Sequence, residues 1–311
     1  MTAFLGAIGA KLADRWVTAL LGPGLLFLGA VALAARLGQT HALSARRLAH
    51  WLDALAAQPA ARSTGAVLVA AAGVLIGSAA AGLAATAAGN AVRRLWNLPG
   101  RRLPWSLLRA WRRRRWFAAD EAVKAAAREY DAAPHSAARH AAPHSAARHA
   151  VAARRATDRR DAVCLVEPDR PTWIADRLRA AAERVRTTYG FGLDSAWPHL
   201  WSLASEPLRA DVAAAQDAYE RAALLFGWSL LYLVLAPWWW PALLIAAVTA
   251  ATAWTKARTA ADTVAVLVET TVDLHLRDLA DRLGLAAGEP VTARTGALIA
   301  ARLAKHRPLD A

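Results

Sequence analysis

The chain has one cysteine and four lysines in 311 residues. A single thiol, Cys164, excludes an internal disulfide and a cysteine metal set. It reads as a small buried apolar side chain in a reducing compartment. Lysine gives way to arginine: of 38 basic residues only Lys11, Lys124, Lys256 and Lys305 are lysine. With the alanine excess, that bias marks a GC-rich coding sequence, so part of the arginine choice is mutational. Acids are scarce, 24 in all, and the formal net charge is +14. Catalytic signatures are missing too. No Gly-rich phosphate loop follows a strand, and there is no GxSxG or HExxH. No catalytic set, no cofactor and no metal site is expected.

Apolar residues are plentiful, at 56% of the chain, with a mean hydropathy of +0.22. A soluble domain is less apolar. They gather in runs. Val17 to Ala35 carries no charge over 19 residues, close to the ~20 that a membrane span needs. Lys11 and Arg15 precede it, and no cleavage pattern follows, so it reads as a retained span. Gly22-Pro23-Gly24 is expected to kink it. Gly65 to Val92 is uncharged over 28 residues, enough to cross with tilt. Its Gly73-x-x-x-Gly77 and Ser78-x-x-x-Gly82 spacings offer a face where helices can approach closely. Between the two runs, Leu43, Leu48, Trp51, Leu52 and Leu55 alternate with Arg46, Arg47 and His50, as in a helix lying along a membrane interface.

The longest pattern runs from Leu208 to Leu283. Two helical stretches, Leu208 to Ala236 and Ala242 to Leu283, flank Pro237-Trp238-Trp239-Trp240-Pro241. Each is apolar toward the prolines and charged away from them. This reads as an antiparallel hairpin, with spans at about 222–240 and 241–255 and a stalk in water. Trp238, Trp239 and Trp240 become anchors at the far interface. On the returning helix, Val264, Leu267, Val268, Thr271, His275, Asp278 and Arg282 fall on one broad face at ~100° per residue. Glu269, Asp273 and Arg277 fall on the opposite, solvated one. His275, Asp278 and Arg282 are the expected polar interface layer. It either fixes helix register or responds to pH, since histidine titrates near neutrality.

Arg93 opens a basic block of nine arginines by Arg115, with no acid among them. Arg109, Trp111, Arg112, Arg113, Arg114, Arg115 and Trp116 are candidates for anionic lipid headgroups. Nucleic acid is the less favoured partner of the same charges. The block also orients the spans, because arginine beside a span favours the cytoplasmic side. The PWWWP tip carries no charge, so both termini are expected inside. Arg36, Arg46, Arg47 and Arg62, in the opposite loop, run against this rule. AAPHSAARH at Ala132 to His140 repeats at Ala141 to His149. Its histidines, His135, His140, His144 and His149, are separated by Pro134 and Pro143 and read as a duplicated flexible linker rather than a metal site. Val163 to Val166 is a short β-like patch. Thr172 is an expected N-cap, Gly190 an expected C-terminal stop, and Ser195 the expected cap of a second short helix.

The expectation is an all-α integral membrane protein with two helical membrane hairpins and a small helical cytoplasmic region. Its parts are an N-terminal hairpin at 1–92, a basic block and linker at 93–170 and a helical module at 171–206. A long hairpin at 207–284 and an amphipathic tail at 285–311 complete it. The stretches PTWIADRLRAAAERVRTTYGFGLDSAWPHLW and DTVAVLVETTVDLHLRDLADRLGL, within about 171–285, resemble multi-pass membrane proteins of actinobacteria. That resemblance implies four spans and a cytoplasmic middle and C-terminal region. The residues favour a non-enzymatic scaffold or sensor in the cell membrane that presents its cytoplasmic helices to a protein partner or to a second copy. The alternative is an oligomeric pore or channel.

Overall fold

The computed structural model describes residues 22–58, 63–100, 103–132, 143–285 and 292–303. Among them there is no strand. Ten helices follow in order: α1 Gly22–Leu37, α2 Ala45–Ala56, α3 Thr64–Trp96, α4 Trp105–Ala132, α5 Pro143–Val163, α6 Trp173–Tyr189, α7 Leu193–Leu203, α8 Glu206–Leu235, α9 Pro241–Arg282 and α10 Ala293–Leu303. The all-α class is as the periodicity implies. Two helices, α3 and α8, are long and apolar enough to cross a membrane, and α1 is a shorter apolar helix.

The chain divides into two compact units. The first joins the residues up to Arg93 with Glu220–Ala257. The second joins Arg94–Tyr219 with Arg258 onward. α8 and α9 contribute residues to both.

In the first unit the interior is made of small side chains. Ala30, Ala34, Ala81, Ala85, Ala242, Ala246 and Ser78 are buried. Missing side chains bring backbones together. A Cβ on Gly24 would collide with Ser78, and one on Gly227 with the carbonyl of Ala85 and, at 2.8 Å, with Gly89 N. One on Gly89 would stand 2.9 Å from Ala223 O. Aromatic rings fill the wider gaps: Phe27 meets Tyr232 edge-on at 5.3 Å and Trp228 at 6.2 Å. Outward, fifteen Leu, Val and Ile side chains on α1, α3, α8 and α9 are exposed, among them Leu26 at 73%, Val69 at 74% and Ile76 at 70%.

The second unit has the opposite arrangement. Val185, Phe191, Leu200, Val272, Leu276, Leu279 and Ile299 are its buried core, the usual large apolar side chains of a protein in water. α6 shows why this region folds as it does. Thr172 Oγ1 accepts from Ala175 N at 3.2 Å as N-cap, and Gly190 ends the helix at φ 76°. Only glycine takes that left-handed turn freely.

Several expectations change. Gly22 opens α1 and Pro23 lies in its first turn, where a missing N–H costs no helical bond; the residues before Gly22, across which the kink was expected, lie outside the described residues. The β-like patch at Val163 to Val166 forms no strand; α5 ends in it. The helix-forming stretch at Ala118 to Tyr130 lies in α4, and the end of the repeat from Pro143, expected as linker, belongs to α5. The two helices form an antiparallel pair, with Trp116 Nε1 donating to Cys164 O at 2.8 Å and Arg160 3.5 Å from Asp120, while 133–142 of the repeat lie outside the described residues. Pro143 begins α5 as a first-turn proline. Gly192, not Ser195, is the N-cap of α7; Ser195 Oγ instead donates to Gly192 O. Val17 to Leu21, His135 and His140 lie outside the described residues.

Candidate functional site

Three groups of side chains stand out. The first is the PWWWP turn. Trp239 is buried, and its Nε1 donates to Ala42 O at 3.0 Å. Gln39, in the loop after α1, holds the turn with both ends of its amide. Its Nε2 donates to Ala236 O at 2.8 Å and Pro237 O at 2.6 Å, and its Oε1 accepts from Trp240 N at 3.0 Å. Both prolines remove donors, and Gln39 satisfies the carbonyls left over. Trp238 and Trp240 point outward, 61% and 42% exposed. The three expected anchors thus separate into two outward rings and one inner strut.

The small-residue face of α3 is the second group. Ser78 is fully buried, and Gly82 is buried with its carbonyl accepting from Thr86 Oγ1 at 2.8 Å. A Cβ on Gly77 would lie 3.1 Å from Leu28 Cδ1 of α1, whereas one on Gly73 would meet nothing within 4 Å. The close-approach stripe therefore continues through Ala85 and Gly89, not back through Gly73. Gly24, Gly89 and Gly227 were missed as packing residues. Gly227 was visible as the one interruption of an apolar helix.

The third group lies in the second unit, where α6 buries charge. Asp176 has no exposed surface. Its Oδ1 accepts from the backbone N–H groups of Asp169 and Arg170, each at 3.0 Å. Its Oδ2 lies 2.9 Å from Arg112 Nη1 as an ion pair without hydrogen-bond alignment. Arg112, buried as well, donates to Arg170 O at 3.1 Å and Val163 O at 3.0 Å. Burial pushes the Asp176 carboxyl above the ordinary carboxylate range, against the pull of those N–H groups and Arg112. Next along α6, Arg177 bonds Asp262 at 2.5 Å and Glu269 at 3.2 Å, and Arg184 bonds Glu269 at 2.7 Å. Tyr189 donates to Asp273 at 2.7 Å. The Arg258 guanidinium stacks over Trp173 at 4.3 Å.

This reassigns the faces of α9. Glu269, expected in solvent, is drawn in by Arg177 and Arg184 of α6, while Asp273 and Arg277 are exposed as expected, with Asp273 accepting from Tyr189. In the expected polar layer, His275 is 3.5 Å from Asp278, but the Asp278 side chain is 60% exposed and Arg282 is exposed. Leu276, on neither expected face, is in the core.

The arginine block divides in the same way. Arg109 pairs with Asp169 at 3.3 Å, Arg113 pairs with Glu167, and Arg112 and Trp116 are taken as above. Trp111, Arg114 and Arg115 face out, with Arg115 4.8 Å over the Trp111 ring.

Chemically, the Asp176 cluster is a clamp. It fastens the segment between α5 and α6 to α4 and presents no nucleophile. The nearby Cys164 thiol is pushed up by burial and by the charge of Asp176, which disfavours the reactive thiolate. Among the described residues no group of three His, Cys, Asp or Glu side chains could hold a metal ion. Comparison with protein-family models, with curated proteins and with solved structures finds no match to the chain.

Proposed function

We propose that the chain is an integral protein of the cell membrane that holds a cytoplasmic helical module in place for protein partners, as a scaffold or sensor. Four crossings come from α1, α3, α8 and the first half of α9, and both termini are cytoplasmic. One observation carries this reading: the first unit has small residues inside and large aliphatic ones outside, while the second has an ordinary core. Soluble monomers rarely expose large contiguous apolar patches, and the first unit exposes fifteen aliphatic side chains on four helices. In lipid the same arrangement is favourable, because helices gain there by close packing of small residues and not by hiding apolar ones. The actinobacterial likeness and the arginine-rich block support the same topology.

The test is extraction and labelling. The chain should stay in the membrane fraction through alkaline carbonate. Cysteine in place of the exposed Trp238 should react with an impermeant thiol reagent in intact cells, and cysteine in place of Arg277 should not. Carbonate release overturns the membrane reading, and reversed labelling overturns the orientation. α9 passes from Ala257 to Arg258 without a glycine or proline, which favours a sensor over a passive anchor. Two glycines inserted after Lys256 should abolish the cellular phenotype while leaving insertion intact. A closed ring in mild detergent would favour the pore.

A further inference from the structure

The first turns of α4 have two unlike sides. Placed at ~100° per residue, Arg109, Arg112, Arg113 and Trp116 lie on one side, and each has a protein partner described above. Leu107, Trp111, Arg114 and Arg115 lie on the other. Leu107 is 65% exposed, Trp111 53%, and Leu103, just before the helix, 74%. Among the described residues Arg114 has no ion-pair partner, and Arg115 rests on the Trp111 ring. The stripe is apolar at its start and cationic further along, with an indole between.

We propose that this stripe docks on the anionic headgroup surface of the membrane that holds the chain. The proposal rests on the membrane reading above. Charge complementarity supports it: two guanidinium groups free of acid partners lie beside leucines and an indole, the composition of interfacial helices. The chain length supports it as well. α3 ends at Trp96 and α4 begins at Trp105, and so short a connection reaches no further than about 30 Å. The start of α4 is therefore tethered within reach of the surface, where docking is intramolecular and needs little intrinsic affinity. Arg109, Arg112 and Arg113, the other half of the block, take no part.

The experiment uses the full chain with cysteine at Leu107, labelled with an environment-sensitive fluorophore, in nanodiscs of phosphatidylcholine alone or mixed with phosphatidylglycerol. Buried Cys164 reacts poorly, so the label goes to position 107. Emission should shift to the blue in the anionic discs, not in the neutral ones, and return with salt. Arg114→Gln with Arg115→Gln should lower the docked-to-free ratio about thirtyfold, two charges at about 1 kcal/mol each. Arg113→Gln, the adjacent arginine on the other side, should leave the shift unchanged. The same label at Ala127, exposed on the far side of α4, should show no shift. An equal shift in neutral discs, an equal loss with Arg113→Gln, or a shift that DNA or RNA produces and lipid does not would each overturn the proposal. Incorporation into discs without any shift overturns this proposal alone. Elution free of lipid overturns the membrane reading with it.

Discussion

Replacing Gly227 with alanine is the most direct challenge to the packing of the first unit. The added carbon would collide with Ala85 O and lie 2.8 Å from Gly89 N. Both are backbone atoms inside a helix and cannot rotate away. A carbon rests about 3.3 Å from a carbonyl oxygen, so α3 and α8 must part by roughly 1 Å. A gap of that size forfeits a quarter to a half of each dispersion contact across it. Overpacking of this kind costs about 1–3 kcal/mol, and a rigid backbone obstacle puts it near the top of that range. Alanine returns up to about 1 kcal/mol of helix propensity, leaving a net loss near 2 kcal/mol. Gly73 is the internal control, since it meets nothing within 4 Å. Gly73→Ala should be neutral or stabilising by up to about 1 kcal/mol. Denaturing-detergent titration in mild-detergent micelles, followed by tryptophan fluorescence, measures both. Trp228, buried beside Gly227, contributes to that signal among the chain's 14 tryptophans. Gly89→Ala should cost less than Gly227→Ala. The double variant should cost less than the sum, because both disturb one crossing. If Gly227→Ala and Gly73→Ala unfold together, close backbone approach is not what holds these helices.

Gln39→Ala removes three hydrogen bonds from the PWWWP turn. At the exposed rim this should cost about 1–2 kcal/mol in the same titration, and Gln39→Glu, which sets a carboxylate oxygen against the Ala236 and Pro237 carbonyls, should cost at least as much. Asp176→Asn leaves Arg112 buried without its counter-charge and should cost about 3 kcal/mol. Arg112→Met with Asp176→Leu should recover much of that, read by thermal unfolding; equal losses would mean that the pair is not buried as described. The Tyr189 phenol is pushed up to about 12 by its bond to Asp273 and by burial. The folded chain favours the neutral phenol, so its contribution is full below pH ~10 and is lost as pH rises through 12. Absorbance titration of Asp273→Asn should bring one tyrosine step back toward 10.

Local rules were legible and distant pairings were not. The ends of α6 were readable because a threonine cap and a glycine stop act within four residues of themselves. The full length of α9 was readable because nothing in it breaks a helix. The arginine block misled because composition reports density and not direction. Arg112 and Arg114 look alike in sequence, yet one meets Asp176 and the other faces out. Which side turns inward is set by the segment after α5, and no periodicity in α4 encodes that segment. Glu269 failed for the same reason: an acid on a long helix looks solvated until another helix brings arginines to it. Gly73 failed because a small-residue spacing in an alanine-rich helix repeats every turn, and only the partner helix selects the register.

The inverted interior of the first unit changes which mutations matter. In the second unit harm comes from loss, as when Leu276 or Ile299 is truncated. In the first it comes from growth. Alanine codons become valine codons by a single C-to-T transition, among the commonest of spontaneous changes, and this gene is rich in them. At Ala85, Ala242 or Ala253, all without exposed surface, that one transition adds two methyl groups where two helices already touch. On the exposed side the same change would pass unnoticed. Natural variation in this region should therefore show alanine and valine exchanging freely on the outer positions and not on the inner ones, a pattern that sequencing of close relatives can read without any assay.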